Sequence, residues 1–307
     1  MDGILIIDKP AGLTSHDVVA RLRRILKTKK IGHTGTLDPF ATGVLVMLVG
    51  KATRLAQFLD KDEKEYEAVM RFGFETETGD RTGASRESRV VSGEVSIGDI
   101  EKVLERFRGE ISQVPPMYSA KKIEGKKLYE LARKGIEVER KAVPVSISKL
   151  EITEPPRRRD AEKMATRGPD SDSRLATRDF VLEVACSAGT YIRTLAEDIA
   201  RAAGSAAHLA ELRRTRAGRF DLSRAVTLEE LEKMTNPVGI LVPMNEAVSH
   251  LPEVELTGEQ TGKIRNGMRI PLRIDGTDAR TVRLTAGGEL IAIASYEEGV
   301  VRPRLVF

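Results

Sequence analysis

Apolar residues in this 307-residue chain follow three patterns, and each predicts a different kind of element. Short unbroken runs are the first. Residues 3–7 and 44–49 predict strands buried on both faces, the earlier one ending at the turn Lys9-Pro10-Ala11-Gly12. Strict alternation is the second. Across residues 64–74, Tyr66, Ala68, Met70, Phe72 and Phe74 share one face, as a half-buried strand requires. Further strands are predicted near 145–153 and 180–187. Helical spacing is the third. Thr14 and Asp17 have capping-box spacing ahead of the stripe Val18, Leu22, Ile25 and Leu26. A later helix carries Ile100, Val103, Leu104 and Phe107, and others are predicted over 51–59, 190–203 and 227–234.

From about residue 250 the texture changes to VEL, GMRIPL, TVRLT, GELIAIASY and VRPRLVF, short strand-like pieces separated by glycine turns. This predicts a small all-β domain after a larger α+β one, with the boundary at 248/249. Two segments interrupt the larger part. Residues 155–178 hold only Met164 and Leu175 as large apolar side chains, too little to bury, so they read as a flexible insertion. The run PPMYSAKKIEGKKLYELARKG is rich in lysine, tyrosine and glycine and reads as a protruding element rather than core. No internal repeat is evident.

Composition narrows the class without deciding it. Hydrophobic residues at 40% and charged residues at 31% fit a soluble globular protein, and six consecutive apolar residues are far short of a membrane span. With Asp2 and Asp8 in it, the N-terminus does not read as a signal peptide. One cysteine, Cys186, leaves no intrachain disulfide and fits a reducing, cytoplasmic setting. The net charge of +4 is modest, but its distribution is not even. Residues 21–30 carry six Lys/Arg and no acid, residues 118–141 eight against four, and residues 201–224 six arginines against two acids. Three such segments suggest a polyanionic partner, although each alone also suits a solvated helix face.

Candidate chemistry centres on the stretch from Gly32 to Gly43, GHTGTLDPFATG, read as a loop joining a helix to a buried strand. Twelve residues is long for a connection inside a compact domain. Its glycines, threonines and proline suggest a defined backbone, and Asp38 before Pro39 is biased toward an extended conformation. On spacing alone, Asp38 serves equally as a turn anchor or as a reactive carboxylate. Other chemistries fall away. Leu45 and Ala52 break a phosphate-binding P-loop around Gly50-Lys51, no GxGxxG follows a strand, and four scattered histidines with one cysteine make no zinc set. A carboxylate chemistry without metal or cofactor is left open.

The same stretch, with KPAGLTSHDVV upstream, closely resembles the signature of the TruB group of tRNA pseudouridine synthases. Lys64-Glu65-Tyr66, the PPMYSAKK segment, CSAGTYIRTLAEDI and AAHLAELRRTRAGRF resemble that family's further motifs, in the same order. The resemblance implies a pseudouridine synthase fold with a mixed, largely antiparallel central sheet, an RNA-gripping thumb at about 111–141, and a C-terminal RNA-binding domain of the PUA kind over 249–307. It implies Asp38 as nucleophile, Arg193 as the partner of that carboxylate, and Tyr66 stacked on the target uracil as a further catalytic group. Tyr191 and Leu212 would line the same pocket, and His33 would fill the space left by a flipped nucleotide. Lys9 and Lys64 would lie near the site and contact RNA, and Lys121, Lys122, Lys126 and Lys127 would clasp RNA phosphates. The implied substrate is the T-arm stem-loop of transfer RNA at uridine 55, with no cofactor, metal, membrane or guide RNA and a monomer as default.

Two other readings compete. Guide-RNA-dependent synthases of the dyskerin type share the GH-x-G-x-LDP loop, but the 115–135 segment argues against them. A non-catalytic RNA-binding protein on the same scaffold would not need Asp38, Tyr66 and Arg193 together.

Overall fold

The computed structural model describes residues 1–86, 95–119, 121–123, 125–153, 179–274 and 280–307. The expected flexible insertion, 155–178, lies outside the described residues.

The uninterrupted apolar runs form strands buried on both faces. In β1 (Gly3–Lys9), Leu5 and Ile7 enter one core while Ile4 and Ile6 enter a second on the opposite face. After β2 (Ile31–Thr34), β3 (Thr42–Val49) divides in the same way, with Leu45, Met47 and Val49 on one side and Val44, Val46 and Leu48 on the other. Each such side chain contributes about 1.5–3 kcal/mol by leaving water, so this pair anchors the fold. Next come β4 (Lys64–Phe72), the short pair β5 (Glu75–Thr76) and β6 (Ser85–Arg86), then β7 (Gly109–Gln113). The hairpin β8 (Lys122–Ile123) and β9 (Lys126–Lys127) precedes β10 (Val143–Thr153), β11 (Asp179–Cys186), β12 (Ala207–Ala217) and β13 (Phe220–Asp221).

The main sheet has nine strands in the order β1-β3-β12-β4-β11-β10-β7, with β2 also on β3 and β13 on β12. All its pairings are antiparallel except β12 with β3, so the sheet is mixed and largely antiparallel. That parallel junction depends on Gly43. Its φ is +99°, and a Cβ there would lie 2.1 Å from the Arg214 carbonyl oxygen, so only glycine lets the two backbones meet.

Helices Ser15–Ile25, Ile97–Leu104, Ile192–Ala202 and Leu228–Lys233 cover one face of the sheet with Val18, Leu22, Ile100, Leu195, Ile199 and Leu231. The Thr14–Asp17 capping box forms as its spacing predicts, and Ser96–Asp99 and Thr227–Glu230 repeat it. Such a cap is worth about 1 kcal/mol. Opposite β1 and β3, the second core is closed by Leu55, Leu59, Phe220 and Val248 together with Leu290, Ile293 and Leu305 from the C-terminal sheet. That sheet has five strands, β14 (Glu253–Glu255), β15 (Ile270–Pro271), β16 (Thr281–Ala286), β17 (Glu289–Glu297) and β18 (Val300–Val306), in the order β14-β16-β17-β18-β15. Helix Gly258–Arg265 packs on it through Ile264, and the sheet has its own core around Val282, Leu284 and Val301.

Three sequence expectations are corrected. Five of the twelve residues of the expected 32–43 loop are strand, three in β2, which pairs with β3, and two at the start of β3, so the true loop is only residues 35–41. Residues 51–59 are a 3-10 turn (Gly50–Leu55) followed by a single α-helical turn (Ala56–Leu59) rather than one continuous helix. The alternating strand ends at Phe72, and Phe74 instead stacks on His208.

Candidate active site

The 35–41 loop is tied from several sides before any function is assigned to it. Leu37, Phe40 and Ala41 are buried in the core and leave Asp38, itself partly buried, projecting from the loop. Ser15, at the start of the first helix, accepts the Leu37 N–H (3.0 Å) and donates to the Leu37 carbonyl (3.2 Å). Gly12 N–H donates to the Pro39 carbonyl (2.8 Å), and Gly35 N–H donates to Asp60 (3.0 Å). From β12, the fully buried Arg214 reaches under the loop and donates to the carbonyls of Gly35 (2.9 Å) and Val44 (2.7 Å). This backbone is preorganised rather than free.

Asp38 faces a cavity of ≈ 260 Å³ bounded by the loop, β4, β12 and the start of the helix Ile192–Ala202. Arg193, in the first turn of that helix, is 5% exposed and grips Asp38 with two nitrogens, Nε to Oδ2 at 2.9 Å and Nη2 to Oδ1 at 3.2 Å. Arg193 is itself held: Nη1 donates to the Thr78 carbonyl and Nη2 to the Tyr118 carbonyl, both at 2.7 Å. Asp80, buried, lies 3.8 Å from Nη1 and accepts hydrogen bonds from Thr78 and Thr82. The planar guanidinium can satisfy a carboxylate and two carbonyls together, which a lysine ammonium could not do in that plane.

Burial pushes the Asp38 carboxyl above its ordinary value, and the adjacent Arg193 opposes that shift. Tyr66 projects from β4 into the same cavity, and burial raises its phenol, with Arg214 beside it pulling the other way. Tyr191 and Leu212 also line the cavity. So does the hydroxyl of Ser119, which is buried and has no hydrogen-bond partner among the described residues, leaving it open to a ligand. The thiol of Cys186 is buried and pushed up to about 11, so it is no nucleophile at neutral pH. Among the described residues no group of His, Cys, Asp and Glu gathers as a metal site.

Asp38, Tyr66, Arg193, Tyr191 and Leu212 therefore meet at one cavity, as expected from the sequence. The other expected residues are placed differently. His33 sits on β2, outside the cavity lining, with a buried Nδ1 that has no hydrogen-bond partner among the described residues; burial lowers its pKa, so the ring is neutral at neutral pH. Lys9 and Lys64 are not available to RNA phosphates in this structure. Lys9 is fully buried and donates to the carbonyls of Pro10, Leu13 and Pro39, fastening the loop from behind. Lys64 lines the cavity but donates to the carbonyls of Asp60 and Asp62. Lys121 is half-buried and Lys126 exposed, and Lys122 and Lys127 pair across the β8–β9 hairpin.

The arginines of the third basic segment have partners within the chain. Arg201 pairs with Glu75 and Glu197, Arg213 with Asp8, Arg216 with Glu63 and Glu65, and Arg224 with Glu246. Arg214 is buried under the loop, and Arg219 donates to the Glu246 carbonyl and to Ser249. All six are therefore engaged within the chain, with Arg201, Arg219 and Arg224 still exposed at its surface. Arg23, Arg24, Lys27, Lys29 and Lys30 of the first segment stay exposed.

Sequence reasoning missed Arg214, Asp80 and Ser119. Arg214 was visible only as one of six arginines in a cluster, because burial leaves no mark on composition.

Comparison with known proteins follows the same outline. A family model described as the N-terminal domain of the TruB family of pseudouridylate synthases matches residues 23–192, and one described as the tRNA pseudouridylate synthase B C-terminal domain matches 193–249. The chain is 43% identical over 306 residues to the tRNA pseudouridine synthase B of Azoarcus sp. (strain BH72), covering 99% of this chain and 94% of that one. To the protein of that name from Geobacillus thermodenitrificans (strain NG80-2) it is 40% identical over 315 residues, covering all of both. Among solved structures, a chain of a Cbf5-Nop10-Gar1 complex superposes with a TM-score of 0.70 at 28% identity, covering 99% of this chain and 84% of that one. A chain of an H/ACA ribonucleoprotein bound to a substrate RNA gives 0.69 at 27%, with the same coverage.

Proposed function

Because this chain belongs to the TruB family of pseudouridylate synthases, we propose that it converts uridine 55 in the T-loop of transfer RNA to pseudouridine, with Asp38 as the nucleophile. A pseudouridine synthase is an isomerase: the N1–C1′ bond breaks, a C5–C1′ bond forms, the C5 proton leaves and N1 gains one. Atoms and charge balance within the nucleoside, so the reaction consumes no co-substrate.

The observation that carries the reading is the two-nitrogen grip of Arg193 on Asp38 at the mouth of a one-base cavity. Its ≈ 260 Å³ is just under the roughly 300–1,000 Å³ of a drug-sized ligand site, which suits a single nucleobase. A base in a folded arm reaches such a cavity only by leaving its stack. Tyr66 then lies against the uracil, with Tyr191 and Leu212 closing the sides and Ser119 offering its open hydroxyl. Asp38 attacks the ring or the ribose. A carboxylate suits either route, since it adds to the substrate and leaves again when the covalent intermediate collapses. Arg193 keeps it ionised and aimed. His33, beside the loop, occupies the space that the flipped nucleotide leaves.

Lys121, Lys122, Lys126 and Lys127 hold the arm's phosphates, which position the RNA without reading its sequence. The C-terminal sheet, residues 249–307, serves as a second RNA-binding module. Transfer RNA as substrate makes the cytoplasm the place of action, and among the described residues no helix is long and apolar enough to cross a membrane.

The solved neighbours come from guide-RNA assemblies, but the relatives at 40–43% identity over nearly the whole chain carry the name tRNA pseudouridine synthase B. That contrast favours action without a guide. The test is to incubate purified protein with a full-length tRNA transcript alone and map pseudouridine along it. Product at position 55 is expected. Product elsewhere, or none until a guide RNA is supplied, would overturn the proposal.

A further inference from the structure

Gln113 is the last residue of β7, at the root of the 111–141 segment, and its side chain is 1% exposed. Both ends of its carboxamide are bonded to one residue. Oε1 accepts the Tyr191 N–H at 2.7 Å, and Nε2 donates to the Tyr191 carbonyl at 3.1 Å. A carboxamide presents an acceptor and a donor side by side, as a peptide group does, so Gln113 pairs with Tyr191 as a neighbouring strand would. Tyr191 is the N-cap of the helix Ile192–Ala202 but makes no capping bond with its own side chain. Its carbonyl also receives Leu195 N–H at 3.0 Å. The entry into this helix is therefore fixed from outside, by Gln113.

Arg193 follows two residues later. Its head is held by the Tyr118 carbonyl, which comes from the same 111–141 segment. One segment thus grips both the backbone and the guanidinium of the turn that presents Arg193 to Asp38. We propose that Gln113 is a positioning residue: it ties the root of the 111–141 segment to the first turn of the Ile192–Ala202 helix and so sets the geometry of the Arg193–Asp38 pair. Gln113 does not line the cavity and touches no substrate; it acts through Tyr191 and Arg193. The segment expected to clasp RNA thereby also contributes to the reaction step. The inference rests on the proposed role of Asp38.

Gln113→Met keeps length and volume while removing both hydrogen bonds, so it preserves packing better than alanine would. The experiment measures single-turnover pseudouridine formation at saturating T-arm RNA, RNA affinity, and the pH profile of the saturated rate, for wild type, Gln113→Met and Asp38→Asn. For Gln113→Met the saturated rate is expected to fall about tenfold or more with Kd changed less than about threefold. The acid limb should also move to higher pH, because a looser Arg193 counteracts burial of Asp38 less well. A purely structural loss would lower the active fraction and leave that limb in place. An unchanged saturated rate, a rate loss with an unmoved acid limb, or weakened RNA binding with a normal saturated rate would each overturn the proposal. Product from Asp38→Asn would instead overturn the reading of Asp38, whatever Gln113→Met does.

Discussion

Two opposed effects act on a single carboxylate at the centre of this site. Desolvation favours protonated Asp38, and the guanidinium of Arg193 favours the ionised form that can attack. If Asp38 is the nucleophile as proposed, activity should fall as pH drops through a pKa above the usual carboxylate range, since protonation would remove the attacking form. Arg193→Lys tests this balance. An ammonium cannot reach both oxygens of Asp38 and the carbonyls of Thr78 and Tyr118 at once. The single-turnover rate should fall about 10²-fold, the size expected when a reacting group is misplaced by roughly 1 Å. Its acid limb should shift upward. A pH–rate profile of the variant checks both effects, and an unshifted limb would show that Arg193 does not govern the ionisation of Asp38. Asp38 itself was legible from its loop and the motifs around it. Arg214, which supports that loop from below, was not, because an arginine in a basic run looks the same whether it faces water or a carbonyl.

At the level of elements, the 35–41 loop is rigid because its neighbours make it so. Lys9, from the end of β1, supplies three hydrogen bonds to the turn after that strand and to Pro39 in the loop. Burial lowers its ammonium to about 8, which leaves it mostly charged at neutral pH, and Asp38 nearby helps to keep it so. Lys9→Met should strand these carbonyls at a cost of about 1–3 kcal/mol. Stability by denaturant titration should drop accordingly, and activity should fall through a mobile loop. If RNA affinity alone weakened, with stability intact, Lys9 would be a phosphate contact after all. The elements differed in how plainly the sequence announced them. Alternation in β4 and the unbroken runs of β1 and β3 were readable because burial on one or two faces dictates them. The β2 strand was not, since Gly32, His33 and Thr34 have no strand pattern and are held by pairing with β3. Nor could periodicity show that AHLAELRRTRA lies between β3 and β4, where it brings Leu212 and Arg214 to the site.

For the molecule as a whole, charge is divided by role more than by amount. The arginines of 201–224 have partners within the chain even where they are exposed, whereas Arg23, Arg24, Lys27, Lys29, Lys30, Lys126 and Lys134 stand open to solvent. Net charge could not show that division, because only the fold brings Glu63, Glu65 and Glu246 to those arginines. Neutralising Lys121, Lys122, Lys126 and Lys127 should weaken T-arm RNA binding and reduce the slope of log K against log salt by up to about 3. Replacing Arg216 and Arg224 should leave that slope unchanged while lowering stability. Salt titrations of RNA affinity distinguish the two sets, and an unchanged slope in the lysine variant would place the phosphate grip elsewhere. The loop and the buried Arg193 converge on one carboxylate. Its role is tested most directly by mapping pseudouridine in T-arm RNA after incubation with wild-type protein and with Asp38→Asn, at equal RNA occupancy. Wild type should form product at uridine 55 and Asp38→Asn none, with RNA affinity changed only a few-fold; equal product from both would contradict Asp38 as the nucleophile.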